Sequence, residues 1–333
     1  MTSIDYAIGI DIGGTKVSGG VVDEMGRIVW RARRDTPERS KSPRVVEDTI
    51  VSVFEELMAA VTDDRMHAGP GQVRAVGIGA AGFVGADGAT VVFAPHLSWR
   101  NEPLREGLSA RVGRPIYVEN DANAAAWAEW RYGAAQGESH LVMITLGTGI
   151  GGGLIIDGRL QRGKWGIAAE FGHMQVVPDG QRCECGNRGC WEQYASGNAL
   201  VREARSMILA QSPVVQDLAA LVDAEPGGLT GPLITQAAKA GDPTARELLA
   251  EVGHWLGVGL ANITAALDPG RFVIGGGVSA AGDLLIDPAR DTFRRKLTGR
   301  GYRPEADVVG AALGNDAGLI GAADLARVQA SEA

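Results

Sequence analysis

Twice in this chain a short apolar stretch runs into a cluster of glycines and returns as another apolar stretch. That repeated unit limits the folds open to it. The first unit is Tyr6 to Ile10, the turn Asp11-Ile-Gly-Gly-Thr-Lys16 and the return Val17 to Val22, with Arg27 to Arg31 continuing as a third strand after a turn at Asp23 to Gly26. The second begins about 135 residues later: Leu141 to Leu146, the turn Gly147-Thr-Gly-Ile-Gly151, and Gly152 to Ile156, closed by Asp157-Gly158. Short β-rich runs bounded by glycine read as hairpins. Two such units at this separation are an internal repeat, and strands alternating with helical segments between them predict two related α/β domains.

Several familiar glycine motifs can be set aside by their neighbours. Gly147, Gly149 and Gly152, and likewise Gly77, Gly79 and Gly82, spell a dinucleotide fingerprint. That fingerprint needs a helix straight after the turn, whereas a strand follows the first match and no convincing helix follows the second. Gly158 to Lys164 imitates a phosphate-binding P-loop, but Trp165 stands where Ser or Thr must hold magnesium. What remains is a different geometry, in which hairpin turns offer backbone N–H groups to phosphate. A third cluster, Gly275-Gly276-Gly277, ends the strand Arg271 to Ile274. The 48 glycines of the 333 residues therefore gather in turns, and with 45% hydrophobic and 22% charged residues the composition is that of a globular protein rather than a low-complexity one.

Between the turns, Val46, Ile50, Val53, Phe54, Leu57 and Val61 recur at helical spacing, with Ser42 as cap and Pro43 in the first turn. After a loop at Gly69-Pro70-Gly71, Val73 to Gly79 and Pro115 to Val118 read as strands, and Ala122 to Tyr132 as a helix. Gly197 to Leu267 is mainly helical, and a last helix runs from Ala317 to about Val328.

Thirty-two basic against forty acidic side chains give a net charge of −8, which disfavours a nucleic-acid partner. No apolar run reaches the ~20 residues of a membrane span. Asp5 stands where a secretory signal wants a basic start, so the chain reads as cytoplasmic with no membrane partner. In a reducing compartment the three cysteines, Cys183, Cys185 and Cys190, point to metal rather than to disulfides. With His173 they make a Cys3His set, characteristic of closed, structural zinc.

Four further groups carry candidate chemistry. Asp121 lies where a strand gives way to a helix; it can act as a base toward a hydroxyl, or simply cap the helix, a duty open also to Asn120 and Asn123. Asp11 suits a magnesium ion held through water, with Thr15, Lys16 and Thr148 as phosphate donors. Glu170, Glu192 and Gln193 flank the cysteine cluster and suit a polyhydroxylated ligand, or else are solvated loop residues. His67, His140 and His254 have no partners at ligand spacing and read as structural or surface residues.

Asp11-Ile-Gly-Gly-Thr-Lys16, Glu119-Asn-Asp-Ala-Asn-Ala124, Leu146-Gly-Thr-Gly-Ile-Gly-Gly-Gly153, Glu170-Phe-Gly-His173, Cys183-Glu-Cys-Gly-Asn-Arg-Gly-Cys190 and Ile274-Gly-Gly-Gly-Val278 together resemble the repressor–ORF–kinase (ROK) family, in order and over essentially the whole chain. Glu119 to Trp127 and Cys190 to Gly197 are especially similar to its bacterial ATP-dependent glucokinases. The resemblance implies an α/β, actin-like or hexokinase-type (ribonuclease H-like) two-domain ATPase fold with a central cleft. It places one domain at residues 1–120 plus 317–333 and the other at 121–316. It further implies transfer of phosphate from ATP to the 6-hydroxyl of glucose, with Asp121 as base. Gly82, Asn120, Asp121, Glu170, His173 and Glu192 would bind the sugar. Asp11, Gly13, Gly14, Thr15, Lys16, Gly147, Thr148, Gly149, Gly275, Gly276 and Gly277 would bind nucleotide with Mg2+. His173, Cys183, Cys185 and Cys190 would bind structural Zn2+, His173 serving sugar and zinc through its two ring nitrogens. The family's habit is a homodimer or homotetramer. Two positions depart from its usual pattern: Ala81, where many members carry Pro, and His96, where many carry Asn. Another hexose (mannose, fructose or an N-acetylated sugar), polyphosphate as donor, and a sugar-responsive regulator are the competing expectations. The regulator needs a DNA-binding segment, for which the ten residues before Asp11 are too few.

Overall fold

The computed structural model describes residues 4–62 and 71–332. His67 and the Gly69-Pro70 loop fall outside them. In chain order the elements are β1 (Ile4–Ile12), β2 (Lys16–Val22), β3 (Ile28–Asp35), α1 (Pro43–Thr62), β4 (Gly71–Ala80), β5 (Phe83–Val84), β6 (Val91–Phe93), β7 (Arg100–Glu102), α2 (Leu104–Val112), β8 (Ile116–Asn120), α3 (Asp121–Tyr132), β9 (Leu141–Leu146), β10 (Ile150–Ile156) and β11 (Arg159–Leu160). There follow α4 (Glu192–Ala195), α5 (Gly197–Leu209), α6 (Gln216–Ala224), α7 (Gly231–Ala240), α8 (Pro243–Leu267), β12 (Arg271–Gly275), α9 (Asp283–Lys296), β13 (Asp307–Gly310) and α10 (Ala317–Glu332).

The internal repeat read from the glycine turns is visible as topology. One five-stranded sheet has the order β3-β2-β1-β4-β8 and the other β11-β10-β9-β12-β13, the same arrangement twice. In the first, the β1–β2 and β2–β3 pairs are antiparallel, while β1, β4 and β8 run parallel. In the second, β12 lies parallel to both β9 and β13. A three-stranded sheet of β5, β6 and β7, together with α2, α9 and β13, was not foreseen from sequence. The strands β5 to β7 are two or three residues long, too short for alternation of apolar residues to register.

The chain divides into two compact units: residues 1–137, 153–169 and 316–333 in one, residues 138–152 and 170–315 in the other. A boundary at 121 would cut α3 from the sheet it follows. Here α3 stays with the first unit because it packs on α10. Buried Asp324 of α10 accepts hydrogen bonds from Trp127 Nε1 (2.8 Å) and Tyr132 Oη (2.6 Å) of α3, and from Arg327 (2.7 Å).

In that first unit, Ile8, Ile10 and Ile12 of β1 and Val17 and Val21 of β2 are fully buried with the apolar face of α1, namely Val46, Ile50, Val53, Phe54 and Leu57. The opposite face of the sheet is covered by α10, which comes so close that a Cβ on Gly77 would lie 1.9 Å from the Ala322 carbonyl oxygen. Gly77, half of a rejected fingerprint, is thus a packing glycine. In the second unit, α8 contributes Leu249, Val252, Leu256, Leu260 and Ile263 and α9 contributes Leu285, Ala289 and Phe293 to the core, where Phe293 meets Phe272 of β12 edge-on at 5.9 Å.

Candidate active-site residues

In the first unit the parallel strands carry their functional residues to one edge. Register pairs Asp11 with Gly79 and Ala80 with Asn120, so β1, β4 and β8 end at the same level. The carboxyl edge of a parallel sheet is where α/β proteins hold ligands. Gly79 leaves the space between the two acids open: a Cβ there would lie 3.4 Å from Asp11 Oδ1 and 3.8 Å from Asp121 Cα.

The capping question is settled at this edge. Asn120, with extended backbone, is the cap of α3, and its Oδ1 accepts the Asn123 N–H at 2.9 Å. Its Nδ2 donates to the Gly82 carbonyl and to Asp121 Oδ1, each at 3.0 Å. Asp121 Oδ1 also accepts the Ala122 N–H at 2.9 Å, and the residue's own N–H is a further donor to the carboxylate. Burial pushes the Asp121 carboxyl up to about 6, against the lowering effect of these donors and of nearby His96. Burial, and then repulsion from Asp121, pushes Asp11 up to about 7. A carboxylate fixed in place by neighbouring amides, near neutral in pKa, is suited to accept a proton.

Behind Asn120 lies a support that sequence reasoning missed. Glu119, almost fully buried, accepts Asn123 Nδ2 at 3.0 Å and the Asn120 N–H at 3.1 Å, and pairs with Arg162 Nε at 2.6 Å. The only signal was its place beside Asn120; Arg162 lies more than forty residues away in a loop. Beside Asp11, the turn of the first hairpin closes with the Gly13 N–H on the Lys16 carbonyl (2.9 Å), and Thr36 Oγ1 clamps the Gly13 carbonyl (2.7 Å). Gly14, Thr15 and Lys16 are exposed, and His96 packs against Gly14.

The second unit holds the other residues. β12 ends beside β9, with Gly275 in register with Thr145, which brings the second and third glycine clusters together. Gly276 sits at φ +81° against the backbone of Leu146, where a Cβ would be 2.5 Å from the carbonyl oxygen. Gly277 opens onto free space. In the turn before β10, the Gly147 N–H bonds the Gly149 carbonyl at 3.0 Å.

Cys183 and Cys190 are buried and Cys185 exposed; with His173 they place four ligand atoms within 4.8 Å of one another. Cys185 and Cys190 Sγ are 3.6 Å apart, and His173 Nδ1 is 3.7 Å from Cys183 Sγ. A tetrahedral site with Zn–S near ~2.3 Å has edges of about 3.8 Å, so the donor set fits such a cation in size and chemistry. Without a cation, burial and the adjoining sulfurs push Cys190 up to about 12. Cys185, by contrast, is held below its usual value by the Asn187 N–H and the neighbouring sulfurs, which outweigh its burial. His173 presents Nδ1 to this cluster.

Glu170 precedes the short helical turn Phe171–His173 and follows Ala169, which is held at φ +67°, a strained conformation for a residue with a Cβ. Glu192 Oε2 accepts the Ile150 N–H at 3.0 Å. Arg202 donates to the main-chain carbonyl of the flanking Gln193 at 2.5 Å and to its Oε1 at 3.5 Å. His254 bonds Thr292 at 3.1 Å and His140 lies against Ser139 Oγ at 3.0 Å, so both are in structural settings.

Comparison with known proteins places this geometry. The ROK family model matches residues 7–329. A glucokinase of Streptomyces coelicolor is 49% identical over 96% of this chain and 97% of its own. The crystal structure of a ROK family glucokinase from Streptomyces griseus in complex with glucose and AMPPNP superposes with a TM-score of 0.87 at 49% identity, covering 97% of this chain and 99% of that one. A ROK hexokinase from Thermus thermophilus follows with a TM-score of 0.77 at 32% identity, covering 98% and 100%. The fold is thus the actin-like, hexokinase-type ATPase fold.

Proposed function

The chain belongs to the ROK family, and we propose from its site geometry together with its relatives that it is an ATP-dependent glucokinase, converting glucose and ATP to glucose 6-phosphate and ADP. The observation that carries the chemistry is the division of labour between Asn120 and Asp121. Asn120 caps α3 and fastens Oδ1 of Asp121 at the sheet edge, so that Asp121 is not itself spent on the cap. A sugar hydroxyl is a weak nucleophile, and the Asp121 carboxylate accepts its proton as the hydroxyl oxygen bonds to phosphorus and ADP leaves.

The rest of the site positions and neutralises. The N–H groups of the turns at Gly13-Gly14-Thr15, Gly147-Thr148-Gly149 and Gly275-Gly276-Gly277, with Lys16, hold phosphate oxygens. Asp11 would hold magnesium through water, and that ion would neutralise phosphate charge. Asn120, Glu170, Glu192, His173 Nε2 and the backbone at Gly82 take the sugar hydroxyls. His173, Cys183, Cys185 and Cys190 would hold zinc, and a Cys3His set that leaves no ligand position to substrate would make the metal a support for the loops rather than a catalyst. The open donor turns recognise phosphate and read no base. ATP and glucose are therefore assigned from the relatives, whose 49% identity spans nearly the whole chain. The enzyme acts in the cytoplasm, where its two substrates are found.

A coupled assay over glucose, mannose, fructose and N-acetylated hexoses, each with ATP or polyphosphate, tests this reading. Glucose with ATP is expected to give the highest kcat/KM. Asp121→Ala should lower kcat by about a thousandfold, within the usual range for loss of a general base. Near-normal turnover in that variant would reject Asp121 as base, and a different preferred pair would reject the substrate assignment alone.

A further inference from the structure

We propose that Glu192 is a strut between the cysteine–histidine cluster and the second phosphate turn, so that the metal governs nucleotide affinity as well as sugar binding. The turn Gly147–Ile150 has little to hold its own shape: one internal hydrogen bond, from the Gly147 N–H to the Gly149 carbonyl. Three further bonds grip it from outside, and all come from the segment that leaves Cys190. Glu192 Oε2 accepts the Ile150 N–H at 3.0 Å. The Gly197 N–H donates to the Gly147 carbonyl at 2.9 Å, and the Asn198 N–H to the Thr148 carbonyl at 3.3 Å.

The other end of this clamp is fixed in the cluster. Glu192 Oε1 lies 3.8 Å from Cys183 Sγ. Two residues earlier is Cys190, and between them Trp191 is fully buried, its indole N–H on the Trp255 carbonyl at 2.7 Å and its own N–H on the Met174 carbonyl at 2.8 Å. Glu192 also explains Gly149: a Cβ there would fall 2.0 Å from Glu192 Oε2. With the Gly147 and Ile150 N–H groups already engaged, those of Thr148 and Gly149 are left for phosphate. A clamp released at its metal end loses the orientation of those two donors. It also frees a carboxylate beside an anion-binding turn, where like charge repels.

The mechanical link stands on these bonds alone; its consequence for nucleotide rests on the kinase reading. Both are tested on the full-length zinc-loaded protein, the chelator-stripped protein, Cys185→Ser, Glu192→Ala and Glu192→Gln. The readouts are hydrogen exchange of the 147–156 backbone and AMPPNP titration without sugar. Stripping, Cys185→Ser and Glu192→Ala should speed exchange at the turn and weaken AMPPNP binding by about tenfold, the worth of a hydrogen bond to a charged group. Glu192→Gln keeps an acceptor for Ile150 and should stay within about twofold. Unchanged exchange and unchanged affinity in stripped protein and in a Glu192→Ala variant with native near-ultraviolet circular dichroism would overturn the strut. Faster exchange in a protein whose zinc-loaded form binds no AMPPNP would support the strut and sink the kinase reading instead.

Discussion

At Asn120 and Asp121 two adjacent side chains divide two duties: either can cap a helix, but only Asp121 can accept a proton. Both residue types cap helices well, so sequence alone leaves open whether Asp121 is spent on the cap or free to act as a base. Backbone direction decides: Asn120 is the last residue of β8 with extended dihedrals, and only its side chain reaches the Asn123 N–H. Asp121 is thereby left for the proposed role of base, and burial would set the pH at which it works. A base acts when deprotonated, and a carboxyl raised to about 6 gains its proton as pH falls through that value. The acid limb of kcat/KM for the sugar should therefore fall with an apparent pKa near 6, well above the ordinary ~4 of an aspartate. A profile flat down to pH 5 would show that Asp121 does not act as the base, or that magnesium at Asp11 has abolished the effect of burial. Measuring the limb at two magnesium concentrations separates these.

Among the elements, α10 shows how glycine serves packing as much as turning. It lies across β1 and β4, where Gly9 and Gly77 let its backbone approach: a Cβ on Gly9 would sit 2.0 Å from the Leu319 carbonyl oxygen. Through Asp324 the same helix fastens α3, which carries Asp121 at its first turn. Gly77→Ala forces backbone against backbone and should cost about 3 kcal/mol in urea unfolding, at the upper end for overpacking. A loss under about 0.5 kcal/mol, the ordinary spread of surface substitutions, would mean that α10 can shift off the sheet freely. Because α3 moves with α10, the variant should lose kcat more than it gains KM for the sugar.

For the molecule as a whole, two compact units with separate cores predict separate responses to metal loss. The Cys3His cluster lies wholly in the second unit. Structural zinc contributes directly to folding free energy where it closes loops that lack a core of their own. Chelation should thus raise hydrogen exchange across residues 170–198 while β1, β4 and α10 keep their protection. A uniform rise in both units would show that the cluster's influence is global and not confined to the loops around it.

The sequence by itself determined the repeated strand–glycine–strand units, the helix face of α1, the metal-ligand set and the identity of the acidic candidates. Each of these is local: periodicity, turn chemistry and ligand spacing are written within a few to a few tens of residues. Tertiary structure decided the rest, because it depends on neighbours remote in the chain. Strand order brought Asp11 beside Asp121, and Gly276 to the end of β9. Arg162 found Glu119 across a long separation, and Glu192, which reads from sequence as a sugar ligand or a solvated loop residue, proved to hold the Ile150 N–H. Hydrophobic patterning specifies which face of an element is buried, but not what is buried against it, and a side chain's role is set by that partner.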